Sequence, residues 1–190
     1  MRIRPVSSLV ALLVLLPGCA RRESPGISPI PGTARTWPYL GKARVTNAAK
    51  AMVVSGSPIA SDVGREILQQ GGNAVDAAVA LGFALAVVHP EAGNIGGGGF
   101  MIIRLHDGGV QALDYREMAP AGASRDMYRA AGEDASVTGH LSVGVPGAVA
   151  GLAEAHRRFG RLPFASVIGP AIRLANEGFV VDEYRSSSIG

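Results

Sequence analysis

The most informative stretch of this 190-residue sequence covers residues 73–115 and reads NAVDAAVALGFALAVVHPEAGNIGGGGFMIIRLHDGGVQALDY. Residues 74–88 are apolar almost throughout, with Asp76 as their single charge, and Asn73 stands where its side chain can cap a helix. A helix that is apolar on every side belongs in a protein interior. At 1.5 Å a residue it extends about 22 Å, which is too short to span a bilayer. We therefore predict a buried helix over residues 74–88.

Four glycines at residues 96–99 lead from this helix into an apolar run at residues 100–105. The Asp107-Gly108 turn separates that run from a second one at residues 110–115, which predicts a β-hairpin. Phosphate-binding loops lead from a strand into a helix, the reverse of the order here, and no Lys-Ser/Thr pair follows the glycines. We exclude a nucleotide site and expect the glycines to serve backbone conformation or the close approach of another segment.

The flanking segments supply the remaining elements. We predict a first strand at residues 51–55 and irregular structure at residues 121–141. A helix should run from Pro58 to about Gly71, with Ser57 as its cap, and a second from Pro146 or Gly147 to Phe159. A third should run from Pro163 to Asn176, interrupted at Pro170 and stopped at Gly178. Helices that alternate with a hairpin indicate an α/β (α+β) fold, in which helices cover a mostly antiparallel sheet.

Composition excludes several classes of protein. Hydrophobic residues make up 47% and charged residues 17%, with a mean hydropathy of +0.24, which argues against intrinsic disorder. One Cys cannot form an internal disulfide, and the four His have no partner at metal-ligand spacing. No Gly-x-Ser-x-Gly motif occurs. From the residues alone the chain shows no complete active site.

Residues 1–18 have the three regions of a secretory signal peptide: two Arg, an apolar run at residues 9–16, and small residues before Cys19. Leu16-Pro17-Gly18-Cys19 resembles a bacterial lipobox, which implies lipidation of Cys19, although Pro17 departs from the usual residues at its position. A plain signal peptide with a chance Cys is the alternative. Residues 19–47 then form a Pro-, Gly- and Ser-containing linker. We expect an exported protein, periplasmic and attached to the outer membrane by its lipid.

The basic charge of the chain belongs mostly to this leader. Removal of residues 1–18 takes away Arg2 and Arg4 and lowers the formal net charge from +3 to +1. The remaining Arg residues are scattered and are not interleaved with aromatic residues. We do not expect a nucleic-acid partner.

Arg116 is the one residue whose position suggests binding chemistry. It stands at the end of a predicted strand, just before a Pro-containing turn, where its planar guanidinium could hold a carboxylate. It could equally pair with Asp114 or Glu117 of the same chain. Spacing alone leaves both interpretations open.

Four segments of the sequence resemble the large-subunit portion of γ-glutamyltransferases, also called γ-glutamyltranspeptidases or glutathione hydrolases. They read AMVVSGSPIASDVGREILQQGGNAVDAAVALGFALAVVHPEAGNIGGGGFMI, DYREMAP, SVGVPGAVAGLAEAHRRFG and GFVVDE, and the similarity covers residues 48–190. The resemblance implies an N-terminal-nucleophile hydrolase fold with an αββα sandwich that is incomplete in this chain. It also implies a precursor that cuts itself into a large and a small subunit.

The resemblance assigns a role to Arg116, since the Arg of the family's D-[FY]-R-E-x-A-P motif binds the α-carboxylate of the γ-glutamyl group. The family's nucleophile is a Thr at the start of the small subunit, in a T-T-H-x-S context. The sequence from Thr138 to Ser142 resembles that context but is followed directly by the Val-Pro-Gly segment of the large subunit. We therefore do not expect Thr138 to be the nucleophile. No catalytic residue is expected in this chain.

The function implied is γ-glutamyl transfer from glutathione or other γ-glutamyl compounds to water or amino-acid acceptors, with the small subunit of the same precursor as partner. The resemblance implies that this reaction needs neither a metal nor an organic cofactor. The 190 residues alone are expected to be inactive. Two alternatives are a cephalosporin-type or poly-γ-glutamate-type acylase on the same fold, and a non-catalytic truncated lipoprotein.

Overall fold

A computed structural model describes residues 46–189, so the predicted leader, Cys19 and nearly all of the linker lie outside the described residues. The described part contains helices and one pair of strands, which places it in the mixed α/β class. In chain order the elements are α1 (Pro58–Gln69), α2 (Ala74–Val88), β1 (Phe100–Arg104), β2 (Val110–Asp114), a 3₁₀ turn (His140–Ser142), α3 (Ala148–Phe159), α4 (Phe164–Glu177) and α5 (Glu183–Ile189).

Both N-terminal helices begin at the predicted caps. The Ser57 hydroxyl accepts a hydrogen bond from the Ala60 backbone N–H, with Pro58 at the first helical position. Asn73 accepts from the N–H groups of Val75 and Asp76, and the Asp76 carboxylate accepts from the Asn73 N–H. This reciprocal capping box satisfies several N–H groups that a helix end would otherwise leave unpaired, and it confirms the predicted start of α2.

Helix α2 lies at the centre of the core, as its apolar composition predicts. It packs against α1, α3 and α4, and Val79, Ala80 and Ala84 are fully buried. Gly82 allows α3 to approach closely, because a Cβ there would lie 3.1 Å from a methyl carbon of Leu152. The small residues of α2 thus let three helices close on it.

The predicted hairpin is confirmed. Strands β1 and β2 pair antiparallel, with Phe100 opposite Asp114 and Arg104 opposite Val110. The backbones of Gly99 and Tyr115 continue the pairing through two hydrogen bonds of 3.3 and 3.0 Å. Successive side chains of a strand face opposite sides of the sheet. Here Ile103 faces the core, whereas Phe100 and Ile102 lie on the other side and are 67% and 78% exposed.

One prediction about the sheet is wrong. Residues 51–55 do not form a strand, because no strand of the described residues lies beside them to take their backbone hydrogen bonds. The expected antiparallel sheet is limited, within residues 46–189, to the hairpin and a single bridge between Met118 and Val145.

The predicted interruption at Pro170 is also wrong, since α4 continues through it to Glu177. A proline inside a helix removes one N–H donor and crowds the carbonyl four residues earlier. In α4 the proline is buried together with Val167 and Ala171, and α4 packs on α2. Burial of this face therefore stabilises a helix that the local rule would break.

Candidate functional site

Arg116 lies just beyond the end of β2, at the open end of the hairpin. Its backbone N–H donates to Oδ1 of Asp114 at 3.0 Å, and its Nε lies 3.3 Å from Oε2 of Glu117. The side chain is nevertheless 61% exposed. Both acids that the sequence suggested as partners therefore contact Arg116, Asp114 through the backbone and Glu117 through the guanidinium, while most of the guanidinium faces solvent.

A groove of about 330 Å³ opens beside Arg116. One wall is the segment from the end of β2 to Met118, and the other is the start of α3 with the three residues before it. The two walls are joined by a pair of backbone hydrogen bonds between Met118 and Val145, of 3.1 and 2.8 Å. Residues about thirty positions apart in the sequence thus meet on either side of the groove.

The groove is lined by one cationic side chain, Arg116, and by two acidic ones, Asp114 and Glu154. The hydrogen bond from Arg157 lowers the pKa of Glu154, whose carboxylate therefore stays ionised on the α3 wall. Burial raises the pKa of Tyr115, whose phenol is therefore neutral at pH 7. Arg116 supplies the positive charge among the lining residues, and none of the described residues that line this groove is Ser, Thr, Cys, His or Lys. Of these lining side chains, Arg116 is the one that could pair with a carboxylate ligand.

The aromatic residue before Arg116 was missed by sequence reasoning. The Tyr115 ring packs against Gly99 and against Gly151 of α3. The one sequence signal for this contact is the pair Gly147 and Gly151, which lie four residues apart and therefore on one face of α3.

A second polar cluster lies away from the groove, at the start of α2. Asp76 is fully buried and accepts backbone hydrogen bonds from Asn73, Arg161 and Leu162. His156 Nε2 lies 3.4 Å from Oδ1 of Asp76 and 2.9 Å from the Leu162 carbonyl oxygen. Because the backbone N–H groups of the connection between α3 and α4 donate to its oxygens, Asp76 holds that connection against the start of α2. The Asn73-x-x-Asp76 spacing predicts the capping box but not this second role.

The other sequence candidates lie apart from the groove or outside the described residues. Thr138 is exposed in the turn-rich segment before the 3₁₀ turn, and its N–H donates to the Asp134 carbonyl. Cys19 is outside the described residues. Among residues 46–189, no group of three or more His, Cys, Asp or Glu side chains could hold a metal ion. No helix of that part is long and apolar enough to cross a membrane.

Comparison with known families adds to this geometry. The family model described as gamma-glutamyltranspeptidase matches residues 60–190. The chain belongs to the γ-glutamyltranspeptidase family. The groove beside Arg116 is therefore a feature of a γ-glutamyltranspeptidase chain, and the resemblance of its four sequence segments to that family is confirmed.

Relatives within and near the γ-glutamyltranspeptidase family are longer than this chain. The glutathione hydrolase proenzyme of Escherichia coli (strain K12) is 51% identical over 140 residues, which are 72% of this chain and 24% of that protein. The crystal structure of Helicobacter pylori γ-glutamyltranspeptidase matches with a TM-score of 0.72 and 43% identity, over 77% of this chain and 43% of that one. The cephalosporin acylase from Bacillus halodurans matches with a TM-score of 0.66 and 31% identity, over 76% and 28%. The chain spans about a quarter of the length of the curated relatives that it matches.

Proposed function

We propose that this chain supplies the donor-binding part of an enzyme that transfers γ-glutamyl groups, with glutathione as a donor and water or an amino acid as acceptor. The observation that carries the proposal is the position of Arg116, whose guanidinium stands exposed at a groove between the hairpin and α3. Membership of the γ-glutamyltranspeptidase family supports it, as does similarity to a relative named glutathione hydrolase proenzyme.

The contact between Arg116 and Glu117 supports carboxylate binding at this place. A guanidinium recognises a carboxylate through parallel N–H donors, and Nε already lies 3.3 Å from the Glu117 carboxylate. An ion pair as exposed as this one contributes at most about 1 kcal/mol. A substrate α-carboxylate can therefore replace Glu117 at little cost.

The acyl-transfer chemistry proposed follows the family pattern. A Thr hydroxyl at the start of the small subunit attacks the γ-amide carbon, its proton passes to the free α-amine of that Thr, and the leaving amine takes up a proton. Water or an acceptor amine then resolves the γ-glutamyl ester. In this proposal the small subunit comes from the same precursor, and Arg116 orients the donor.

The proposal includes the four-layer αββα sandwich that the family resemblance implies. Phe100, Ile102 and Val110 are exposed on one face of the hairpin. Exposed apolar side chains grouped on one face of a sheet, here with Arg104 and Asp114 at its ends, are typical of a surface that another layer covers. Further strands and helices of the complete enzyme would cover it.

An acylase with another amide substrate is the second candidate, and the similarity to the cephalosporin acylase from Bacillus halodurans favours it. The two candidates differ in whether the substrate needs an α-carboxylate at Arg116. A γ-glutamyl donor has one, and masking it as a carboxamide removes the charge that Arg116 would bind.

The test replaces Arg116 in the complete enzyme, which is this chain with the polypeptide that supplies the nucleophile. Hydrogen bonds to a charged group contribute about 1.5–3 kcal/mol, so Arg116→Ala should raise KM for a γ-glutamyl anilide about 10- to 150-fold. Self-cleavage, followed by gel electrophoresis, should continue. Arg65→Ala is the matched control, because Arg65 is an equally exposed Arg on α1 that pairs with Asp62. An unchanged donor KM in Arg116→Ala would refute the assignment.

The chain by itself is proposed to be inactive, because the groove lining described here contains no Ser, Thr or Cys and the proposed nucleophile is the Thr of the small subunit. Release of the anilide by the purified 190-residue chain, in proportion to its concentration, would contradict this. A complete enzyme that cleaves no γ-glutamyl or acyl amide would favour the third alternative, a non-catalytic lipoprotein.

We also propose export to the periplasm and attachment to the outer membrane through lipid on Cys19. The proposal rests on the sequence of residues 1–20 alone. Each methylene buried in the bilayer contributes about 0.8 kcal/mol, so two or more acyl chains would anchor the protein stably.

A further inference from the structure

The glycine tract at residues 96–99 contacts the start of α3. The carbonyl oxygen of Gly97 accepts two hydrogen bonds, from Gly147 N at 2.9 Å and from Ala148 N at 2.8 Å. The first N–H groups of a helix have no partner within the helix, and Gly147 has no side-chain cap. The tract therefore acts as the N-terminal cap of α3 through its backbone.

The same tract lies directly against the segment that carries Arg116. A Cβ built on Gly98 would lie 2.5 Å from the Tyr115 carbonyl oxygen and 2.8 Å from the Arg116 Cα. A Cβ on Gly99 would lie 2.9 Å from the Tyr115 ring. Contacts this short with a Cβ essentially never occur, so only glycine allows the tract to approach the backbone at Arg116 so closely.

Helix α3 and the residue before it also contact this segment. A Cβ on Gly147 would lie 2.1 Å from the Tyr115 carbonyl oxygen, and a Cβ on Gly151 would lie 2.1 Å from Cγ of the Tyr115 ring. The ring of Tyr115 thus fills a space that glycines leave on two elements, and its backbone is held between them. Arg116 follows this held residue directly in the chain.

We propose that Tyr115 is the positioning residue for Arg116, and that Gly98 and Gly151 provide the space in which its backbone and ring are held. The assignment rests on the proposed role of Arg116 in binding the donor carboxylate. Because the backbone before Arg116 is already held, binding of the carboxylate has to order only the Arg116 side chain and not the backbone as well. Small displacements of a substrate-positioning group are costly, about 100-fold in rate for 1 Å.

Substitutions of Tyr115 and of a glycine that contacts it, together with one glycine that does not, separate positioning of Arg116 from general effects on folding. Tyr115→Ala empties the space, and Gly151→Ala displaces the ring. Tyr115→Phe keeps the ring and loses only a hydroxyl whose contact with the Phe100 carbonyl is long, at 3.4 Å. Gly96→Ala is the control within the tract, because its Cβ would meet nothing closer than 3.9 Å.

The readout is a discrimination ratio in the complete enzyme. It is kcat/KM for a γ-glutamyl anilide divided by kcat/KM for the same anilide with its α-carboxylate masked as a carboxamide. Because both substrates are measured on one preparation, the fraction of folded enzyme cancels. Tyr115→Ala and Gly151→Ala should lower the ratio about tenfold or more, while Tyr115→Phe and Gly96→Ala should stay within about twofold of the wild type.

Two outcomes would overturn the assignment, and they are distinguishable. If Arg116→Ala removes the enzyme's discrimination between the two substrates and Tyr115→Ala leaves the ratio unchanged, Arg116 binds the carboxylate without help from Tyr115. If Arg116→Ala itself leaves the ratio unchanged, the proposed function fails and the positioning role fails with it. Should Tyr115→Ala not fold, Tyr115→Leu provides the same test with an apolar side chain of smaller reach.

Discussion

Asp76 is expected to be the most sensitive polar residue of the helical core. Its side chain is 0% exposed and accepts from Asn73 N at 2.9 Å, from Arg161 N at 3.0 and 3.1 Å, and from Leu162 N at 3.4 Å. Replacement by Ala removes the acceptor for all three N–H groups. Two of the three belong to the connection between α3 and α4, so the packing of both helices on α2 depends on this carboxylate.

The magnitude follows from these contacts. A hydrogen bond to a charged group contributes about 1.5–3 kcal/mol, and a buried donor left without a partner costs about 1–3 kcal/mol. The three bonds share one carboxylate, so their energies do not add independently. Breaking a buried charged network by removing one partner typically costs about 3–5 kcal/mol. We expect Asp76→Ala to lower the free energy of unfolding by that amount, a large part of the roughly 5–15 kcal/mol of a typical domain.

The assay is urea unfolding of the purified chain, followed by far-UV circular dichroism. Asp62→Ala is the matched control, because Asp62 is an exposed acid on α1 whose partner is the exposed Arg65, and such pairs contribute about 1 kcal/mol or less. Asp76→Asn should fall between the two, since the amide keeps one acceptor oxygen. If Asp76→Ala unfolds within about 1 kcal/mol of Asp62→Ala, the reasoning about this network is wrong.

Three further predictions test other parts of the chain. Gly93→Ala should cost about 1–3 kcal/mol in urea unfolding, because its Cβ would lie 2.2 Å from the Leu85 carbonyl oxygen; Gly122→Ala, whose Cβ meets nothing within 4 Å, should change stability by less than about 0.5 kcal/mol. Burial raises the pKa of Tyr115, so the folded protein holds this proton more tightly than the unfolded chain does, and its contribution to the free energy of unfolding is complete below the unfolded pKa of about 10 and is lost as pH rises above it. Tyr115→Phe should therefore lose less stability at alkaline pH than the wild type, and superimposable curves of unfolding free energy against pH for the two proteins would contradict that. Cys19→Ala should abolish incorporation of labelled palmitate and release the protein from the membrane fraction, whereas a variant that stays in that fraction would argue against the lipid anchor.

Elements with local signals were predictable to within one or two residues. The capping bonds of Ser57 and Asn73 and the bond within the Asp107-Gly108 turn join residues two or three positions apart, so the local sequence contains both partners of each bond. A strand at residues 51–55 could not be judged in this way, because a strand exists only when another strand lies beside it. The predicted interruption at Pro170 was wrong for a related reason. Packing of α4 on α2 stabilises the helix, although a proline in a helix interior is expected to break it.

The same distinction between local signals and tertiary packing applies to the candidate site. The sequence alone determined the hairpin, the buried helix, the family and the choice of Arg116, because each depends on neighbouring residues or on a contiguous motif. Only the tertiary structure decided what else surrounds Arg116, namely the groove wall from α3 and the space for Tyr115 between Gly99 and Gly151. These contacts join segments about 15 to 35 residues apart in the chain. Their geometry depends on how α3 packs on α2, and no local pattern specifies that packing.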